Sequence, residues 1–199
     1  MGIGNLVKFM AEAESEPTAA DISIHLVPDR QAAGHTCGAA CLGSVLDLYG
    51  IDLKESQLAK ELHATREGGI HPDAIIECAK KHGVKAEVLE GMTIGDLKRE
   101  MAAGNPVIVA FQAWGPKWTN YATSKSRNHY AVVIGVTGQH VLFMDPLTRS
   151  HSAWLPIDDF KVRWHNEQSI DGKTRVAQQL GIVFSGKHKR GAEDLVKID

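Results

Sequence analysis

Apolar positions recur with two different periods along the chain, and the change falls near residue 104. From about 37 to 103 the spacing is helical. Leu42, Val45, Leu46 and Tyr49 share one face of a 3.6-residue period, and Gly50 follows as a stop. Leu58 and Leu62 mark a short second helix. A third opens at Pro72, carries Ile75, Ile76 and Ala79 on one face and ends at Gly83. Val84 to Leu89 reads as a strand. Thr93 then caps a helix bearing Leu97 and Met101, with Asp96 at the capping-box position and Gly104 closing it.

From 106 onward short apolar runs replace the helical spacing. Val107 to Phe111, Tyr130 to Val136 and Val141 to Met144 predict strands, the last two joined as a hairpin through Thr137-Gly138. Ser150 to Trp154 predicts a further strand, Pro156 to Trp164 a short helix, and Leu180 to Phe184 a final strand. Helices first and antiparallel strands second define an α+β pattern rather than the alternation of a doubly wound sheet. The connection from Gln112 to Asn128 is long for a compact domain and contains Trp114 and Trp118; it predicts an active-site rim, with a mobile insertion as the alternative.

Residues 1–20, rich in Ala, Glu, Ser and Pro, predict a flexible arm, and 187–199 a charged tail in which Lys187, His188, Lys189 and Arg190 form a solvated basic cluster. The folded unit is expected over 21–186. With 199 residues the chain can bury one sizeable core, and its 43% hydrophobic and 23% charged residues are those of a soluble globule. A net charge of −2 gives no basis for nucleic-acid binding or for an anionic membrane. No apolar run approaches the roughly 20 residues that span a bilayer. The start, interrupted by Lys8 and followed by acidic residues, is a poor secretory signal, so a cytoplasmic location is expected.

Three cysteines, Cys37, Cys41 and Cys78, make a disulfide scaffold unattractive and leave free thiols. Gly34-His35-Thr36-Cys37-Gly38 runs straight into the first amphipathic helix, which places Cys37 at a helix N-terminus. Unpaired N–H groups there favour a thiolate. Gly38 would let the backbone pass close to a substrate. On position alone, Cys37 reads equally well as a small buried residue. Cys41, one turn on, and Cys78, on the third helix, read as buried structural residues. A metal held by Cys37, Cys41 and His35 would lack a second ligand pair, so no metal or other cofactor is expected.

A base must come from elsewhere among the ten histidines. His129 opens the strand Tyr130–Val136, a position that is held rigidly yet reaches a cleft. Asp145 ends the partner strand, so the predicted hairpin brings it beside His129, where a carboxylate would fix the imidazole and stabilise its protonated form. Alone, Asp145 is a turn residue before Pro146. The amide of Gln31, six positions before Cys37, is a possible oxyanion donor. The other histidines have bland readings: His63, His82 and His140 solvated at element ends, His71 in a turn, His151 and His165 at the surface.

These segments together are similar to the boxes of the C39 peptidases, the papain-like domain of bacteriocin ABC transporters and of stand-alone relatives. Gln31…Cys37-Gly38-Ala39-Ala40-Cys41-Leu42 followed by Tyr49-Gly50 resembles the N-terminal box. Asn128-His129-Tyr130-Ala131-Val132-Val133-Ile134-Gly135 resembles the histidine box, Asp145-Pro146 the aspartate box, and Ile157…Phe160…Trp164 the closing helix. The resemblance spans about 30 to 185. It implies a papain-like cysteine proteinase fold, with an N-terminal helical half packed on a C-terminal antiparallel sheet. It also implies a cysteine peptidase acting through Cys37 as nucleophile, His129 as base, Asp145 as orienting residue and Gln31 as oxyanion donor. Gly38, Trp114, Asn128 and His35 are then expected to line the substrate site, and the partner is a peptide or protein substrate. One departure is Thr36, where the family often has an acidic residue. The same groups can also run deamidation or transamidation of glutamine, and a non-catalytic peptide-binding domain on the same fold is the reading from another class.

Overall fold

The first helix, α1 (Cys37–Leu48), is buried along almost its whole length, from Cys37 and Gly38 to Leu48. Small residues at 38–41 and 43 let it lie close against its neighbours. It packs on the strand β3 (Asn128–Val136), on α2 (Glu55–Glu61) and on α3 (Pro72–Lys81). Pro72 sits in the first turn of α3, where the missing N–H costs nothing, and His71 Nδ1 accepts from the Asp73 amide. The strand β1 (Lys85–Leu89) leads to α4 (Ile94–Ala102), whose Thr93–Asp96 capping box forms as the spacing predicts. This computed structural model describes residues 16–148, 152–170 and 173–189. Among the described residues no helix is long and apolar enough to cross a membrane.

The second half supplies the sheet. β2 (Val107–Gln112) is buried at every position and pairs on one side with β3. On its other side it pairs with β8 (Gly181–Ser185). β4 (His140–Met144) and β5 (Ser152–Pro156) extend it, giving an antiparallel six-stranded order β1-β8-β2-β3-β4-β5. α5 (Ile157–Arg163) follows β5 directly. The predicted hairpin therefore exists, with a bulge between Val133 and Gly135. The expected α+β fold, helices in the first half against an antiparallel sheet in the second, is the observed one.

One pair of strands escapes the apolar pattern. β6 (His165–Ile170) and β7 (Lys173–Gln178) form a separate two-stranded ribbon from a largely polar sequence. Two histidines expected at the surface are buried. His140 is only 4% exposed, with its ring edge-on to Trp154 at 4.9 Å between centroids. His165 lies beneath the long loop, its Nε2 2.8 Å from the Tyr121 carbonyl. In both cases a neighbour from a distant part of the chain covers the ring. Residues 187–189 run on past the expected boundary at 186: the Lys189 amide donates to the Leu48 carbonyl at 2.9 Å, and His188 meets Tyr49 edge to face. The expected arm up to residue 15, His151 and the tail from Arg190 lie outside the described residues.

At Gly135 the chain leading into α1 crosses the sheet. The Ser23 and Ile24 amides both donate to the Ile134 carbonyl, at 2.7 and 3.0 Å, and a side chain at 135 would collide with the Asp21 carbonyl. Backbone cannot yield as a side chain can. Gly135→Val is expected to destabilise by about 1–3 kcal/mol. The check is a lowered Tm together with faster amide exchange at Ser23 and Ile24.

Candidate active site

The start of α1 is built to leave donors open. Thr36 occupies the N-cap, but its hydroxyl turns back to the Ala33 carbonyl (3.0 Å) instead of capping the helix. The first turn carries no acidic side chain. The partial positive charge of the helix end is thus uncompensated at Cys37. Thr36, in place of an acidic residue, keeps that end free of negative charge.

Cys37 is 8% exposed and His129 6%. Burial opposes ionisation of the Cys37 thiol. The hydrogen bond and positive charge of His129 outweigh it, helped by backbone N–H groups of Tyr130 and Gly38, and the thiol ends below its ordinary value. Burial likewise opposes protonation of His129, yet Asp145 and then Cys37 push the imidazole up to about 9. The arrangement stabilises a thiolate–imidazolium pair relative to the neutral thiol and imidazole. The other two described cysteines go the opposite way. Burial drives Cys41 well up and Cys78 up to about 11. Cys41 donates its S–H to the Tyr130 carbonyl at 3.4 Å, a structural contact.

His129 Nε2 lies 3.1 Å from Asp145 Oδ2, an ion-pair contact whose angle falls short of an aligned hydrogen bond. With Nε2 turned to the carboxylate, Nδ1 is the nitrogen left for the thiol. Burial works against the Asp145 charge, but His129, the Leu147 amide on Oδ1 (2.8 Å) and the Trp114 indole on Oδ2 (3.1 Å) hold it ionised, below the usual value. Below His129, Phe111 stands opposite it in the β2–β3 register, rings edge to face at 5.8 Å. Phe143, Phe160 and Trp164 continue that aromatic layer.

The structure thus brings Cys37, His129 and Asp145 together. Gln31 approaches from the segment before α1: its backbone N–H donates to the Pro146 carbonyl at 3.3 Å, next to Asp145. Its Nε2 donates to the Ala33 carbonyl at 2.9 Å, and its Oε1 is buried without a partner among the described residues. The four residues expected to line a substrate site fare differently. Trp114, half exposed and at φ 58°, bonds to Asp145 and faces His129 edge-on, which makes it a support for the imidazole–carboxylate contact. Asn128 is exposed, yet its amide is taken up by protein partners, accepting from the Gln112 side chain (2.6 Å) and the Glu167 backbone N–H (3.1 Å) and donating to the Glu167 carbonyl (3.0 Å). It ties β3 to β2 and β6. Gly38 serves packing: a Cβ there would press on Tyr130 at 3.2 Å and Ile70 at 3.3 Å. His35 is half-buried before the helix and enters none of the contacts among Cys37, His129 and Asp145.

Sequence spacing offers no sign of the Tyr130 backbone N–H at the sulfur or of the Trp114–Asp145 bond, since both join segments far apart in the chain. The long loop is closed on itself rather than a loose insertion. The Gly115 amide donates to the Tyr121 hydroxyl (2.9 Å), and the Arg127 amide and the Ser124 hydroxyl both donate to Gln112 Oε1 (3.0 Å each). Arg163 lies over the Tyr121 ring at 3.8 Å. Trp118, 86% exposed, is presented outward by that frame.

A helix-tip thiol beside a strand-borne imidazole, on a helical half set against an antiparallel sheet, is the architecture of papain-like cysteine peptidases. The chain belongs to the Peptidase_C39 like family, whose model matches residues 24–170. An uncharacterized protein of Methanothermobacter marburgensis is 32% identical over 117 residues, 59% of this chain and 69% of that protein. Among solved structures, the peptidase domain of Streptococcus ComA, a bi-functional ABC transporter involved in quorum sensing, shares the fold with a TM-score of 0.61. It is 21% identical, and the match covers 82% of this chain and all of that one. A C39-like peptidase from Bacillus anthracis gives 0.61 at 19% identity over 83% of this chain and all of that one. A double-glycine-motif protease of an AMS/PCAT transporter, solved with its leader peptide, gives 0.58 at 18% identity over 86% and 98%. Membership of this family supports a cysteine-peptidase type of function.

Proposed function

We propose that the protein is a thiol hydrolase that cleaves a peptide or isopeptide bond through an acyl-enzyme. The observation that carries this reading is the buried chain of contacts from Cys37 to His129 to Asp145, with Cys37 the one described cysteine whose thiol is shifted toward ionisation. The Cys37 thiolate attacks the substrate carbonyl and a C–S bond forms. The resulting oxyanion takes hydrogen bonds from the Cys37 backbone N–H and the Gln31 amide. The His129 imidazolium gives its proton to the leaving nitrogen as the C–N bond breaks. Neutral His129 then takes a proton from water, whose oxygen attacks the thioester. The C–S bond breaks, the thiolate and imidazolium are restored, and the carboxylic acid product gives its remaining proton to solvent. Asp145 stays ionised throughout and holds the ring. This chemistry calls for no metal. Residues 21–186 constitute the catalytic unit in this reading.

Gln31→Ala is expected to lower kcat by on the order of 10²-fold with KM little changed, because the donor acts on charge that exists only in the transition state. Steady-state kinetics on one peptide substrate measures this. The reading itself is tested by incubating the full chain with a proteome-derived peptide library and analysing products by mass spectrometry. Shortened chains with new termini, absent with Cys37→Ala, are expected. Uncut chains in which a side-chain amide has become an acid would replace peptidase with deamidase. Peptides bound and returned unchanged would leave a binding domain.

A further inference from the structure

Away from Cys37 and His129, the junction of α2 and α3 gathers a second reactive group of side chains. Glu61 ends α2, Cys78 lies in the last full turn of α3, and His82 forms the C-cap of α3 one turn further on. The Glu61 carboxylate, Cys78 sulfur and a His82 ring nitrogen all lie within 4.8 Å of one another. His82 Nε2 stands 3.4 Å from Glu61, and Lys81 pairs with the same carboxylate. Cys78 is 4% exposed and in hydrogen-bonding contact with Glu61, while Glu61 and His82 are partly open to solvent.

We infer that Glu61, Cys78 and His82 form a binding site for a divalent transition-metal ion of the zinc type. Cys78 and His82 are four apart on one helical run, so their ligand atoms project to the same side, and Glu61 meets them from the neighbouring helix. One sulfur, one imidazole nitrogen and one carboxylate oxygen suit zinc or cobalt and are a poor set for magnesium or calcium, which take oxygen ligands. A tetrahedral ion with bonds of about 2.0–2.3 Å separates its ligand atoms by roughly 3.3–3.8 Å. The cluster reaches that by closing about 1 Å, a side-chain adjustment. Three protein ligands leave a fourth position for water on the open side. On binding, Cys78 gives its thiol proton to solvent and the Lys81 ammonium leaves Glu61. The metal then clamps α2 to α3.

The test uses the full chain carrying Cys37→Ala, which removes the competing thiol–imidazole pair. Co²⁺ is titrated and followed by its visible bands and its thiolate-to-metal absorption, and Zn²⁺ is titrated against a chromophoric chelator. One equivalent of Co²⁺ with thiolate absorption is expected. Affinity should fall about 10–100-fold or more in Glu61→Gln and in Cys78→Ala. Lys81→Gln should bind more tightly, because the displaced ammonium is gone, and its fold is not at risk because Lys81 is exposed. Circular dichroism confirms that the weakened variants are folded. Absence of thiolate absorption, affinity unchanged in both Glu61→Gln and Cys78→Ala, or weaker binding in Lys81→Gln would overturn the assignment. None of these readouts depends on peptidase activity.

Discussion

Cys37→Ala is expected to remove peptide hydrolysis, lowering kcat by on the order of 10⁶-fold, the scale seen when the nucleophile of an acyl-transfer triad is removed. It should also abolish labelling by a thiol-directed electrophile at neutral pH. The reason lies in how the three thiols differ. Cys37 alone meets the imidazole and two backbone N–H donors, whereas Cys41 is fully buried against the Tyr130 carbonyl and Cys78, held up by burial, contacts the Glu61 carboxylate. Cys41→Ala and Cys78→Ala are therefore expected to keep both activity and labelling. The substitution at 37 deletes one atom at a helix tip, so the fold should persist, and circular dichroism with peptide kinetics separates lost chemistry from lost structure. Labelling that survives in Cys37→Ala and vanishes in Cys41→Ala would move the nucleophile one turn along the helix.

The largest loss of stability is expected from Phe160→Ala. Phe160 is fully buried and touches three other aromatic rings: Phe143 (5.3 Å between centroids), Phe111 (5.7 Å) and Trp164 (4.7 Å). Trp164 in turn donates its indole N–H to the Leu180 carbonyl at 3.0 Å, which couples α5 to the turn before β8. Truncating a buried Phe to Ala costs about 3–5 kcal/mol. For a chain of this size that corresponds to a Tm lower by roughly 6–20 °C. Because Phe111 is the ring that backs His129, it stands between the cavity and the imidazole. Activity at low temperature should then persist with a reduced thermal limit. Calorimetry and residual activity measured side by side check this. A variant as stable as the parent would mean that the aromatic layer is not a central part of the core.

Much of the fold was legible because it follows from two periods. The helical spacing of Leu42, Val45, Leu46 and Tyr49 and the continuous apolar run of β2 report burial directly. The His129–Asp145 contact was legible too, because a hairpin turn at Thr137-Gly138 constrains which ends meet. The ribbon β6–β7 was not, since its strands lie outside the main sheet and their residues are mostly polar. His140 and His165 were misread for a related reason. Their burial is supplied by Trp154 and by the loop at Tyr121, and nothing in the local sequence announces either partner. Trp114, Asn128 and Gly38 teach the same point at the site. Each has its side chain or its vacancy committed to another protein group that the local sequence does not announce.

The account depends on the thiol and the imidazole sharing a proton. Burial resists both charges; each partner nevertheless stabilises the other, so the Cys37 thiol titrates below its ordinary value and His129 remains protonated up to about 9. The pair therefore exists from that lowered thiol value up to about pH 9, and loss of the imidazolium above it should switch off leaving-group protonation. The decisive measurement is the second-order rate of Cys37 alkylation by iodoacetamide across pH, for the parent chain and for His129→Ala. The parent is expected to react at a nearly constant rate around neutral pH. His129→Ala should be slow at pH 7 and rise about tenfold per pH unit toward the range of an ordinary thiol. Superimposable profiles, both climbing like a free cysteine, would contradict the pairing on which the proposed chemistry stands.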